Sequence, residues 1–196
     1  YNRYYRVEKI CLICLHLTIS EDEMLKMLSS CNLSEPAGVR DFAVLLLLMR
    51  YGLRPIEIIH LELDDIGWDE RKIIIHGKGR KTSHLPLEND VEIALRRYIE
   101  AARPSSLDKN VFLRCKAPFV SFSKSGAISS IVKHALDRCG LNPEIAGARL
   151  LRYSVASAIL NKGGTLLEVS ELLRHSSINT SVRYTRLDMN RLKLVT

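Results

Sequence analysis

A chain of 196 residues, 46% of them hydrophobic, is long enough for one sizeable core and too apolar to be a disordered segment. Its 29 lysines and arginines outnumber its 22 aspartates and glutamates, and the net charge of +7 suits a polyanionic partner. No apolar run reaches the length of a membrane span, no signal-peptide pattern is present, and an intracellular, cytoplasmic protein without a membrane partner is expected. Tyr1 is not an initiator methionine, which reads as a piece of a longer protein. The five cysteines, Cys11, Cys14, Cys31, Cys115 and Cys139, are odd in number, which argues against a disulfide framework. Cys11-x-x-Cys14 with His16 lacks a second pair at zinc spacing, so small buried thiols are expected and no metal.

In chain order, residues 1–19 interleave basic and aromatic side chains and read as a lead-in or the end of a linker. Ser20-Glu-Asp-Glu23 is a capping box that starts a helix reaching about Ser29. Pro36 opens a second helix, the run Ala43–Met49 reads as buried, and Gly52 stops it after Tyr51. Pro55 fits the first position of a third helix and places Arg54 at its entrance, where an anion is favoured. A surface pair of Arg54 with Glu57 or Asp41 is the plainer alternative.

Arg71–His76 and His84–Leu87 read as two strands joined by the turn Gly77–Lys81, whose tip projects Lys78, Arg80 and Lys81. Glu88–Ala102 reads as an amphipathic helix with Ile93, Leu95 and Ile99 inward. Arg103–Ser123 reads as a connector with one apolar piece, Val111–Leu113. Ser125–Cys139 is a helix ended by Gly140. Lys124, Lys133, His134 and Arg138 make it partly basic, suited either to a DNA groove or to solvent. The expected fold is mainly α with a small antiparallel β-sheet.

The stretch Arg149–Tyr184 concentrates the chemistry. Leu151, Val155, Ala158 and Ile159 recur at helical spacing and are expected inward, with Arg149, Arg152, Tyr153 and Ala156 on the other side. Arg149 and Arg152 are i,i+3 neighbours of like charge, and a phosphate between them would relieve the repulsion and match the guanidinium fork. Gly163-Gly164 ends this helix. Leu166, Val169 and Leu173 mark a short one, and His175 falls on the turn after it. Ser176 or Ser177 caps a further helix carrying Tyr184. Two arginines, a histidine and a tyrosine are thereby ordered around what reads as one phosphate.

This stretch resembles the C-terminal half of a tyrosine recombinase catalytic domain, the phage-integrase and Xer-like family. The family carries His-x-x-Arg, then Leu-Gly-His-Ser-Ser-Ile, then Tyr. The chain has Arg149-Leu-Leu-Arg152, then Leu173-Arg174-His175-Ser176-Ser177-Ile178, then Tyr184. Arg149 stands at the usual His position and Arg174 at the usual Gly. Upstream, Gly52-Leu53-Arg54-Pro55-Ile56-Glu57 matches the family's Gly-Leu-Arg-x-x-Glu, and Leu61-x-Leu63-x-Asp65-Ile66 matches the family's next segment. The resemblance spans about residues 20–186, taken as one catalytic domain. It implies that the family's usual DNA-clamping domain lies outside this chain.

The resemblance implies that Tyr184 is a nucleophile forming a 3′-phosphotyrosine, with Arg54 and Arg152 stabilising charge on the phosphate. Lys78 would protonate the leaving 5′ oxygen and His175 would bond a phosphate oxygen or Tyr184. Arg149 would add a phosphate contact but no base, because arginine stays protonated. Arg80, Lys81, Lys124 and Lys133 are expected on the DNA backbone. It further implies double-stranded DNA as partner, a homo-oligomeric (tetrameric) synapse, and a tail, residues 187–196, that docks in trans through Leu192, Leu194 and Val195. No metal or other cofactor is implied. A type IB topoisomerase-like enzyme, a DNA-binding module with impaired catalysis and a nonenzymatic helical adaptor are the alternatives.

Overall fold

The computed structural model describes residues 18–77 and 82–174, apart from the Leu166 side chain. In chain order come α1 (Glu21–Ser29), α2 (Pro36–Tyr51) and α3 (Pro55–Ile59), then a 3-10 turn (Leu63–Asp65). A sheet of β1 (Ile66–Gly67), β2 (Lys72–His76) and β3 (Thr82–Pro86) comes next, then α4 (Asn89–Ala101), α5 (Gly126–Arg138), α6 (Ala148–Asn161) and α7 (Leu166–Leu172). The expected mainly helical fold with a small antiparallel sheet is what forms.

Local signals set the helix ends. Ser20 Oγ accepts the Glu23 amide, and the Glu23 carboxylate accepts the Ser20 amide at 2.7 Å, so the capping box closes α1 as read. α2 starts on Pro36 and ends at Gly52. Its residues Val44, Leu45, Leu47 and Leu48 are fully buried. A run apolar on every side, as over Ala43–Leu48, belongs at the centre of a fold, and α1, α4, α5 and α6 pack around this helix. Each leucine so buried contributes about 1.5–3 kcal/mol.

Two expected faces are corrected. On α4 the buried stripe is Val91, Ala94, Leu95 and Tyr98, whereas Ile93 is 68% exposed and Ile99 only borders the core. At about 3.6 residues per turn, Ile93 and Leu95 fall on nearly opposite sides. On α6, Leu151 and Val155 are buried as expected, but so are Arg152 and Ala156, while Ala158 and Ile159 are partly exposed. The helix is covered twice, by α2 on one side and α7 on the other, where Ala156, Leu160, Val169 and Leu173 form a second apolar cluster.

The sheet runs β1-β2-β3, all antiparallel, with Ile73 opposite Leu85 and His76 opposite Thr82. That last pairing starts β3 two residues before the expected His84. β1 escapes sequence reading because two residues show no period. Ile73, Ile75 and Leu85 face the core. The hairpin is tethered at both ends: His76 Nε2 meets Asp65 Oδ1 at 2.7 Å, and the Tyr51 hydroxyl donates to the Pro86 carbonyl at 2.7 Å. The tip, residues 78–81, lies outside the described residues.

The connector after α4 is held by polar contacts to its own backbone. Arg103 donates to the carbonyls of Asp108, Asn110 and Val111. Phe112 stacks on Tyr98 with ring centroids 5.3 Å apart, and the Leu113 amide donates to the Tyr98 hydroxyl at 3.1 Å. Tyr98 and Leu113 are fully buried, so removing that oxygen strands a buried N–H. Tyr98→Phe is expected to cost about 1–3 kcal/mol, read as a lower urea midpoint with an unchanged m-value.

Candidate active site

The site begins where α2 stops. Gly52 takes a left-handed conformation, φ +54, and a Cβ there would lie 2.6 Å from Leu173 Cδ2. Both the turn and the close approach of the segment after α7 therefore require glycine. Arg54 comes next in extended backbone as the cap of α3, with Pro55 in the first turn. Glu57, 3% exposed, reaches back to accept the Arg54 amide at 2.7 Å and Arg54 Nη1 at 2.8 Å. The surface pair weighed for Arg54 is thus made with Glu57, but on a buried carboxylate.

α6 supplies the next cation. Arg152 is 9% exposed, and its Nη1 and Nη2 donate in short hydrogen bonds to the carbonyls of Gly52 and Leu173. α7 is started by a capping box between Thr165 and Glu168 and ends at Leu173. Arg174 then adopts φ +51 and turns its side chain back into the site. Its Nη2 donates to Glu57 Oε2 at 2.9 Å and its Nη1 to the Leu172 carbonyl at 2.9 Å. Arg54 Nη2 approaches the Arg174 carbonyl at 3.4 Å. Arg54 and Arg152, remote in sequence, thus end on the carbonyls of consecutive residues.

The other expected site residues divide in two. Arg149 is exposed on the first turn of α6, and Lys124 and Lys133 are exposed at and on α5, which packs against α3. Arg149 and Arg152 do not share an environment: one faces solvent and the other is buried among carbonyls. Lys78, Arg80, Lys81, His175 and Tyr184 lie outside the described residues. Arg174 was missed by sequence reasoning as a member of the site. Its signal was a charged side chain standing where the family has glycine. The three described cysteines, Cys31, Cys115 and Cys139, are free thiols, and no described helix is long and apolar enough to cross a membrane.

A mainly helical domain with this sheet and this arginine-rich turn is the fold of tyrosine recombinase catalytic domains. The crystal structure of the XerH site-specific recombinase bound to a palindromic difH substrate, a post-cleavage complex, superposes with a TM-score of 0.76 at 26% identity, covering 91% of this chain and 52% of that one. The chain matches the phage integrase family model over residues 18–191 and belongs to that family. It is 38% identical over 175 residues to y4rA of Sinorhizobium fredii, whose name gives it as an integrase/recombinase, covering 89% of this chain and 42% of that protein. It is 36% identical over 170 residues to the tyrosine recombinase XerC of Alcanivorax borkumensis, covering 83% and 52%. The chain thus spans about half the length of these relatives.

Charge balance in the site centres on Glu57. Burial alone would raise its carboxyl, but the Arg174 charge, the Arg54 amide and the Arg54 guanidinium outweigh that and hold it below the ordinary glutamate range. Burial pulls the Arg174 guanidinium down from its usual value, with Glu57 opposing. Arginine nonetheless stays protonated wherever the fold survives, so the pair remains ionised. With the folded value depressed, the Glu57 contribution to stability is full above its unfolded value, about pH 4.3, and is lost as pH falls through the folded value. Glu57→Gln is expected to flatten the acid limb of stability below about pH 5 by up to roughly one proton, measured by urea midpoints from pH 3 to 7.

Proposed function

We propose that this chain is the catalytic domain of a site-specific DNA recombinase or integrase. The observation that carries the reading is the meeting of Arg54 and Arg152 at the turn leading to His175. Tyr184 lies further on, within the family match. Its phenol oxygen attacks a DNA phosphorus and a 3′-phosphotyrosine bond forms. The bond from phosphorus to the 5′ oxygen breaks, Lys78 supplies the proton to that oxygen, and the phenol proton passes to water. Arg54 and Arg152 stabilise the extra negative charge of the pentavalent state more than that of the ground state. His175 bonds a phosphate oxygen or Tyr184, and Arg149 adds an exposed phosphate contact. Arg80, Lys81, Lys124 and Lys133 hold the DNA backbone without reading bases. Religation is the reverse attack by a 5′ hydroxyl, so no outside energy source is needed.

The working assembly is a tetramer on DNA, joined by the tail in trans. Its acceptor is an apolar cleft of about 690 Å³ between α1, α2, α4 and α6, lined by Met24, Leu25, Phe42, Leu46, Ile93 and Ile159. Leu25 and Ile93 are 60% and 68% exposed there, an apolar pair that a partner would cover. Its charged lining is mixed, with Asp90 paired to Arg50, Glu21 paired to Lys162, and Arg97 beside them. In the tail, which lies outside the described residues, Leu192, Leu194 and Val195 are apolar side chains that suit an apolar cleft.

Two measurements test these proposals. A pool of random-sequence duplexes, each nicked near its centre so that religation fails, should yield an SDS-resistant protein–DNA adduct with wild type. Tyr184→Phe should yield none, and EDTA should leave the yield unchanged. No wild-type adduct, or an equal adduct from the Phe variant, defeats the reading. Sedimentation on a selected duplex should show multimers that Ile93→Glu and Leu192→Asp each reduce by about tenfold or more in association constant. Unchanged multimers in both variants would exclude the cleft as the acceptor.

A further inference from the structure

The Arg174 side chain is only 10% exposed, and its Nε is buried with no hydrogen-bond partner among the described residues. Its backbone, at φ +51, occupies the region that side chains with a Cβ disfavour. A residue keeps such a conformation when its surroundings hold it there. Here the holders are the Glu57 carboxylate and the Leu172 carbonyl, with the Tyr51 carbonyl at 3.4 Å from Nη1. With Nη1 and Nη2 turned onto backbone carbonyls and Glu57, the Arg174 side chain points into the protein.

Its consequence falls on Arg54. Glu57 gives Oε1 to Arg54 Nη1, while Oε2 takes both the Arg54 amide and Arg174 Nη2. One carboxylate is therefore divided between two guanidiniums. With Arg174 present, Arg54, Arg152, Arg174 and Glu57 together carry two net positive charges. Without it they carry one, and Glu57 would neutralise Arg54 alone. We propose that Arg174 is a positioning residue for Arg54: it takes up half of Glu57, so that Arg54 keeps its orientation and an uncancelled charge for the DNA phosphate. This rests on the recombinase reading above. It assigns to the substituted glycine position a role on a different arginine, reached through a carboxylate.

The experiment measures single-turnover cleavage of the nicked duplex and DNA affinity for wild type, Arg174→Gly, Arg174→Lys and the double variant Arg174→Gly with Glu57→Gln. Glycine relaxes the left-handed backbone, so a residue that served only the turn would lose nothing. Arg174→Gly is expected to slow cleavage by about 10- to 100-fold, the scale for a group that orients a functional residue. Its dissociation constant for DNA should stay within about threefold, because the lost side chain does not reach DNA. Arg174→Lys retains one cation on Glu57 and should fall between. The double variant should regain part of the rate, since the neutral amide introduced by Glu57→Gln no longer cancels Arg54, although it holds that arginine by weaker bonds. Full-rate cleavage by Arg174→Gly, or a loss that Glu57→Gln does not lessen, overturns the proposal. Absence of any wild-type adduct sinks instead the recombinase reading beneath it, so the two failures are told apart.

Discussion

A buried guanidinium has to be surrounded by acceptors, and the site is built around meeting that demand for Arg152. Two of its acceptors are the carbonyls left over where two helices end, Gly52 after α2 and Leu173 after α7. Carbonyls hold the cation without cancelling its charge, and they tie together two turns far apart along the chain. The turn at Gly52 fixes the start of α3 and hence Arg54. The end of α7 fixes the segment from which residue 175 continues. One side chain thereby sets the spacing of the turns that carry Arg54 and Arg174.

Both turns run through left-handed backbone, and the two positions meet it differently. At Gly52 a side chain is excluded by strain and by Leu173. At Arg174 the strain is tolerated because the side chain bridges to Glu57 and two backbone carbonyls. A departure from the family's glycine is thus compensated by contacts that only a long, multivalent cation makes. The same carboxylate orders α3, so the helix start and the charge of the site are linked through Glu57.

One central helix ties these parts together. α2 is buried at every position from Ala43 to Leu48 and lies at the centre, so α1, α4, α5 and α6 each find a surface to cover. Tyr51, at its last turn, also grips the Pro86 carbonyl and accepts the Glu88 amide. The sheet is thereby referenced to the same helix end that presents Gly52. Leu25 on α1 and Ile93 on α4 are the large apolar side chains that this packing leaves facing outward on those helices.

Much was legible in the residues themselves, because caps and breakers act locally. Ser20 with Glu23, Pro36, Gly52 and Pro55 marked helix ends that the structure keeps, and the paired motifs around Arg54 and Arg152 identified the family. The order of Arg54, Arg152, His175 and Tyr184 along the chain needed no coordinates. What the chain pattern did not carry was anything decided by a second neighbour. The double coverage of α6, the outward turn of Ile93, the two-residue strand β1 and the burial of Arg174 against Glu57 depend on elements distant in sequence. Periodicity reports one buried face of one element, whereas a carboxylate shared by two arginines exists only once α3 and the end of α7 have packed together.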